Sequence, residues 1–139
     1  MKFLRLLSFV LAIQGGAASA QTPPVRILPL GDSITFGSGA PGGYRNKLHA
    51  LLTADGYNVD FVGVQTGNPV ASLPDLDHQG IGGWRIDQVD ADIPKWLGVV
   101  ADPDVILLHI GTNDFGQNLD TVNAINRFTN HFHFKYFSI

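Results

Sequence analysis

The spacing of apolar residues changes along the chain, and each change marks an element. "VRILPL" (25–30) is a near-continuous apolar run that predicts a first strand. "GYRNKLHALLTADG" (43–56) then puts Tyr44, Leu48, Leu51 and Leu52 on one helical face, with Gly56 as the stop. "NVDFVGV" (58–64) predicts a second strand. A turn-rich stretch through Pro69, Pro74 and "DLDHQGIGG" follows. In "WRIDQVDADIPKWL" (84–97), Ile86, Val89, Ile93 and Leu97 recur at spacings of three and four, predicting a second helix disturbed near Pro94. "PDVILLHIGTND" (103–114) is apolar without alternation, the pattern of a parallel strand covered on both faces. "DTVNAINRF" (120–128) opens a third helix through Val122, Ile125 and Phe128, and "TNHFHFKYFSI" (129–139) loses the period. Strands alternating with helices predict an α/β domain with a parallel sheet.

The first twenty residues stand apart. Lys2 and Arg5 precede the apolar "LLSFVLAI", and Ala18-Ser19-Ala20 supplies a small-residue cleavage site before Gln21, so 1–20 reads as a secretory signal and 21–139 as the domain. A membrane anchor fits less well, because the apolar core is shorter than the ~20 residues a span needs and Gln14-Gly15-Gly16 interrupts it. With 139 residues, 45% of them hydrophobic and 15% charged, the chain has material for one core. It has no cysteine, so a secreted form must rely on that core alone. The net charge is −3, and losing Lys2 and Arg5 makes the mature chain more acidic. Without a basic run, nucleic acid and anionic membranes are not expected partners. The expected ligand is small or neutral.

Both apolar strands end in polar clusters, "GDS" after the first and "GTND" after the third. In open α/β sheets, loops at the carboxyl ends of strands converge where the strand order reverses, which makes these clusters candidate site residues. An ester hydrolase needs a nucleophile, a base, and donors aimed at the developing oxyanion. Ser33 supplies a hydroxyl on a sharp turn that Gly31 permits, and its own amide is a donor. Gly83 in "GIGGW" supplies a backbone N–H free of side-chain obstruction, with Gly82 as the alternative donor. Asn113 supplies a side-chain amide. Taken alone, Ser33 is an ordinary turn residue and Asn113 an ordinary cap.

Together, Gly31-Asp32-Ser33-Ile34, Gly80-Ile81-Gly82-Gly83-Trp84 and Gly111-Thr112-Asn113-Asp114 resemble, in order and placement, three of the four blocks of the SGNH, or GDSL, hydrolase family. "GGYR" at 42–45 and "HQGIGGW" further resemble its secreted carbohydrate-esterase branch, many of whose members deacetylate plant polysaccharides such as acetyl xylan. The resemblance covers about 25–128. It implies a flavodoxin-like three-layer α/β/α fold with sheet order 2-1-3-4-5, of which this chain carries strands two, one and three and lacks the C-terminal strands and helix. It implies catalytic roles for Ser33, Gly83 and Asn113, and for Asp32 a role in ordering the turn. No cofactor and no metal are implied.

The family's fourth block, a D-x-x-H near the C-terminus, has no counterpart in place. "Asp75-Leu76-Asp77-His78" matches by spacing but lies between the first two blocks, so His78 is expected to be a loop residue at the rim. "Asn130-His131-Phe132-His133" falls in a divergent tail (127–139) and, with His131 and His133 lacking partners, suggests no metal site. His109 is expected to be a core histidine, His49 to sit on a helix face, and Trp84 and Trp96 to pack. "Gly37-Ser38-Gly39-Ala40-Pro41-Gly42", with Asp60 following, is literally a dinucleotide fingerprint, but it does not come directly off the strand and Asp60 sits near the start of the second strand. The expectation is therefore a secreted serine esterase on an incomplete chain, impaired by the missing base. The alternative is a non-catalytic carbohydrate- or ligand-binding module that keeps the oxyanion pocket; a flavodoxin-like nucleotide binder would need an anion cradle that the acidic loops do not supply.

Overall fold

One strand is the hub of the sheet: β1 (Val25–Gly31) pairs in parallel with every other strand of the computed structural model, which describes residues 22–100, 102–117 and 121–132. The expected signal segment lies outside the described residues, as do the last seven residues of the tail. Along one edge of β1 run first β2 (Val59–Phe61), at Val25–Ile27, and then the two-residue β3 (Gln79–Gly80), at Leu30–Gly31. Along the other edge runs β4 (Val105–His109), paired with Ile27–Gly31. The three predicted strands thus stand in the expected order, second, first, third. β3 was not expected. It falls within the stretch read as loop, where Gly80 leaves room: a Cβ there would meet the Phe36 backbone N at 2.4 Å.

Alternation along β1 splits the core into two layers. Leu28 and Leu30 face α3 (Ile86–Leu97), packing with Val62, Ile86, Val89, Ile93 and Trp96. Ile27 faces the other way, with Phe61 and Leu73, against Leu48 and Leu52 of α2 (Gly43–Ala54). The result is three layers, helix on sheet on helix, each apolar side chain burying roughly 1.5–3 kcal/mol of transfer free energy. α3 runs through Pro94 to Leu97 without a break, and the Gly98 N–H still reaches the Pro94 carbonyl at 3.2 Å. Trp96 joins Ile86, Val89 and Ile93 in the buried core, as expected of a packing residue, and Leu97 packs against them partly buried.

Three expectations about faces are corrected. On α2 the fully buried residue is Arg45, whereas Leu51 is 50% exposed. β4 is not covered on both faces: Val105 and His109 are exposed, and no other described strand lies on its outer edge. His109, expected in the core, lines an apolar groove of about 570 Å³ between β4 and α2, together with Tyr44, Lys47, Leu48 and Leu51. After α4 (Thr112–Gly116) and a 3₁₀ turn (Thr121–Asn123), α5 (Ala124–Phe132) continues past Phe128 into the segment read as patternless. It buries Ala124 and leaves Ile125 and Phe128 exposed, as is Val122 in the preceding turn. Three apolar residues at helical spacing therefore do not mark the buried face here.

Candidate active site

Ser33 opens α1 (Ser33–Phe36), a single helical turn that starts where β1 ends. One turn cannot sustain itself, because nucleation fixes several residues for one hydrogen bond. Its ends are held from outside. Asp32, the N-cap, accepts the Ile34 N–H at 2.9 Å through Oδ1, and Gly37 closes the turn at φ 89°. Gly31 is required by close approach, since a Cβ on it would lie 2.0 Å from the His109 carbonyl oxygen. That proximity brings β4 against the turn, where the Asp32 N–H donates to His109 O at 3.3 Å. Asp32 is fully buried and its Oδ2 has no partner among the described residues.

The glycine block reaches Ser33 through β3. Gly80 pairs with Gly31, the Ile81 N–H donates to Gly31 O at 3.0 Å, and a Cβ on Gly82 would sit 4.0 Å from the Ser33 Cβ. Gly83 adopts φ 80° with open space around it. The N–H groups of Ser33, Gly82 and Gly83 have no acceptor among the described residues. At a helix start and in a glycine turn, free amides are groups able to accept an anion.

The asparagine block is fastened to the same loop. Asn113 donates Nδ2 to Trp84 O at 2.7 Å, which leaves a second amide hydrogen. Gln117 donates Nε2 to Gly83 O at 3.0 Å. The buried Asp114 accepts the Ile86 N–H at 3.1 Å and pairs with Arg127 at 3.1 Å, joining α4 to the start of α3 and to α5. Trp84 stacks on Trp96 with centroids 5.4 Å apart, as packing residues do.

His78 is not at the rim. It is fully buried in the loop between β2 and β3, edge-on to Phe36, with Nδ1 accepting the Gly80 N–H at 2.9 Å and Nε2 donating to Gly67 O at 3.3 Å. Burial, reinforced by the Arg45 charge, lowers its pKa to about 4. Both ring nitrogens are engaged by backbone, and the imidazole is neutral. His49 lies edge-on to Phe61. His131 is in α5 and His133 lies outside the described residues. No group of three His, Cys, Asp or Glu side chains among the described residues is placed to hold a metal ion.

Sequence reasoning missed Arg45. Its side chain donates Nε to Thr35 O at 3.1 Å, Nη2 to Phe36 O at 3.3 Å and Nη1 to Leu76 O at 2.8 Å. Beside it, Asn68, at φ 56°, donates Nδ2 to Phe36 O and to Gly37 O. The signal available was an arginine in the first turn of a helix, between Tyr44 and Asn46, which ordinarily reads as solvated.

Residues 30–132 match the GDSL-like Lipase/Acylhydrolase family. A multidomain esterase of Ruminococcus flavefaciens is 36% identical over 120 residues, covering 69% of this chain and 15% of that protein. A family 3 carbohydrate esterase of Clostridium thermocellum superposes with a TM-score of 0.67 at 41% identity, covering 80% of this chain and 58% of that one. A carbohydrate esterase of family 3 from Talaromyces cellulolyticus shares the fold, with a TM-score of 0.58 at 24% identity over 77% and 55% of the two chains. The chain thus spans little more than half the length of these solved relatives. From the order of its blocks, the sheet they close on and these matches, the chain belongs to the GDSL-like lipase/acylhydrolase family of SGNH hydrolases.

Proposed function

We propose that this chain carries the nucleophile and oxyanion half of a secreted carboxylic ester hydrolase acting on acetylated polysaccharide such as acetyl xylan. The observation that carries the reading is the approach of the glycine block to the nucleophile turn, where a Cβ on Gly82 would sit 4.0 Å from the Ser33 Cβ, while the N–H groups of Ser33, Gly82 and Gly83 have no acceptor among the described residues. Ser33 attacks the ester carbonyl. Its own N–H, the Gly83 N–H and the second Asn113 amide hydrogen take the oxyanion, with Gly82 as the alternative donor. Each such donor is worth about 10²–10³ in rate. Asp32 orders the turn through Ile34 and takes no proton from a base. The carbohydrate-esterase relatives support a sugar as the alcohol part, and the "Ala18-Ser19-Ala20" site after an apolar stretch supports export.

The base is not one of the histidines near Ser33. His78 cannot serve, since its nitrogens are spent on Gly80 and Gly67. The same observation favours a second reading, a binding module that holds an ester or acetate without turning it over. Hydrolysis of p-nitrophenyl acetate by the purified 139-residue chain tests both. The expected result is slow hydrolysis above background, on the order of 10³–10⁴ over water, that falls with Asn113→Ala and changes little with Ser33→Ala. No difference between the chain and Asn113→Ala would sink the hydrolase reading. Turnover at ordinary enzyme rates would show that His131 or His133 acts as base, to be separated by single alanine changes.

A further inference from the structure

We propose that Arg45 is the positioning residue of the nucleophile, setting the distance between Ser33 and the oxyanion donors through a three-pronged grip on backbone carbonyls. The proposal rests on the reading of Ser33 as nucleophile and deepens it.

Arg45 is fully buried, and its three prongs run to two different parts of the site. Nε and Nη2 take the carbonyls of Thr35 and Phe36 at the C-terminal end of α1. Nη1 takes the Leu76 carbonyl, in the loop that leads through His78 into β3 and the glycine block. The guanidinium is planar and rigid, so its prongs hold their targets at fixed separations, which a lysine ammonium on a flexible stem does not do. A single-turn helix has no internal means of fixing its own orientation, and Asn68 closes only its last carbonyls. The angle at which Ser33 leaves β1 is therefore decided at the far end of α1, by Arg45.

The arrangement also explains a full burial that stability alone does not require. Three backbone carbonyls answer the guanidinium, and no carboxylate among the described residues is hydrogen-bonded to it. Those carbonyls belong to one turn and one loop that must meet at Ser33 and Gly82, where the glycine leaves 4.0 Å between a would-be Cβ and the Ser33 Cβ. An error of a few tenths of an ångström there misplaces the hydroxyl relative to the donors.

Methylboronic acid tests this without requiring turnover, because the serine oxygen adds to boron, a B–O bond forms, and the hydroxyl proton leaves to solvent, giving a tetrahedral anion in the shape of the acetyl intermediate. Its ¹¹B resonance reports the adduct on the full 139-residue chain. The wild-type chain is expected to form it and Ser33→Ala is expected to abolish it. Equal signals from these two, or none from either, overturn the nucleophile reading and the positioning role with it. With that reading intact, Arg45→Lys and Arg45→Met are each expected to bind at least tenfold more weakly while keeping the wild-type circular dichroism, with Arg45→Lys retaining charge but not geometry. Wild-type affinity in folded Arg45→Lys overturns the proposal. Should both variants fail to fold, Asn68→Gly, which tolerates φ 56°, removes the neighbouring prong alone. With the three Arg45 contacts left in place it is expected to keep an affinity within about twofold of wild type, and a tenfold loss, which would show that Asn68 rather than Arg45 sets the turn, overturns the proposal.

Discussion

Asn113 holds the carbonyl of Trp84 at 2.7 Å, so the asparagine and glycine loops are fastened to each other before any ligand arrives. The bond uses one hydrogen of the amide and leaves the other. Asn113→Ala should leave Trp84 O without its donor and cost about 1–2 kcal/mol of stability, read from urea unfolding. Asn113→Asp should cost more, since it sets a carboxylate oxygen against a carbonyl oxygen. The order of the two variants checks the geometry independently of any activity.

Acid should weaken the fold through His78. Unfolded, this histidine takes a proton near pH 6.5; folded, burial and the Arg45 charge delay protonation to about pH 4. Between those values the unfolded state binds the extra proton, so stability is intact above pH 6.5 and falls as the pH drops. At about 1.4 kcal/mol per pH unit the total loss is about 3 kcal/mol. His78→Gln should flatten that slope in urea melts at pH 7, 5.5 and 4.

Glycines of the site should separate into two classes. Gly31→Ala drives a Cβ to 2.0 Å from His109 O, between two paired strands that cannot part, and should abolish soluble expression. Gly83→Ala meets nothing and should fold, at a cost of about 1 kcal/mol for its left-handed φ. Thermal melts of the two variants distinguish a structural glycine from one that leaves an approach open.

Asp114 should be the most costly polar residue of the asparagine block. Asp114→Asn keeps the size, loses the charge and turns the ion pair with Arg127 into a contact with a neutral amide. Because the carboxylate is fully buried, a loss of about 3 kcal/mol is expected. A double-mutant cycle with Arg127→Met should recover part of it; strict additivity would show that the pair is not coupled.

The groove between β4 and α2 should make the purified chain bind a hydrophobic dye. Leu51 is 50% exposed and the outer edge of β4 has no strand partner among the described residues, a combination that invites association. Leu51→Glu should reduce dye fluorescence and delay aggregation at matched concentration. A monomer with no dye binding that unfolds cooperatively would show that the groove is covered in solution.

Much of this protein is legible from local pattern. The runs at 25–30 and 103–110, the periodicity of α2 and α3 and the two polar clusters at strand ends follow from side-chain spacing and turn chemistry, which act over a few residues. The strand order came instead from the family resemblance that the three blocks carry, since spacing within a segment orders no strands. What local pattern could not reach depends on contacts between distant segments. β3 exists because Gly80 fits against Phe36, and Arg45 is buried because carbonyls ten and thirty-one residues away converge on it. His78 sits inside because its two nitrogens find Gly67 and Gly80, and Val122, Ile125 and Phe128 stay outside because α5 buries its Ala124 side. A polar side chain is buried only when partners surround it, and only the tertiary structure decides where those partners are.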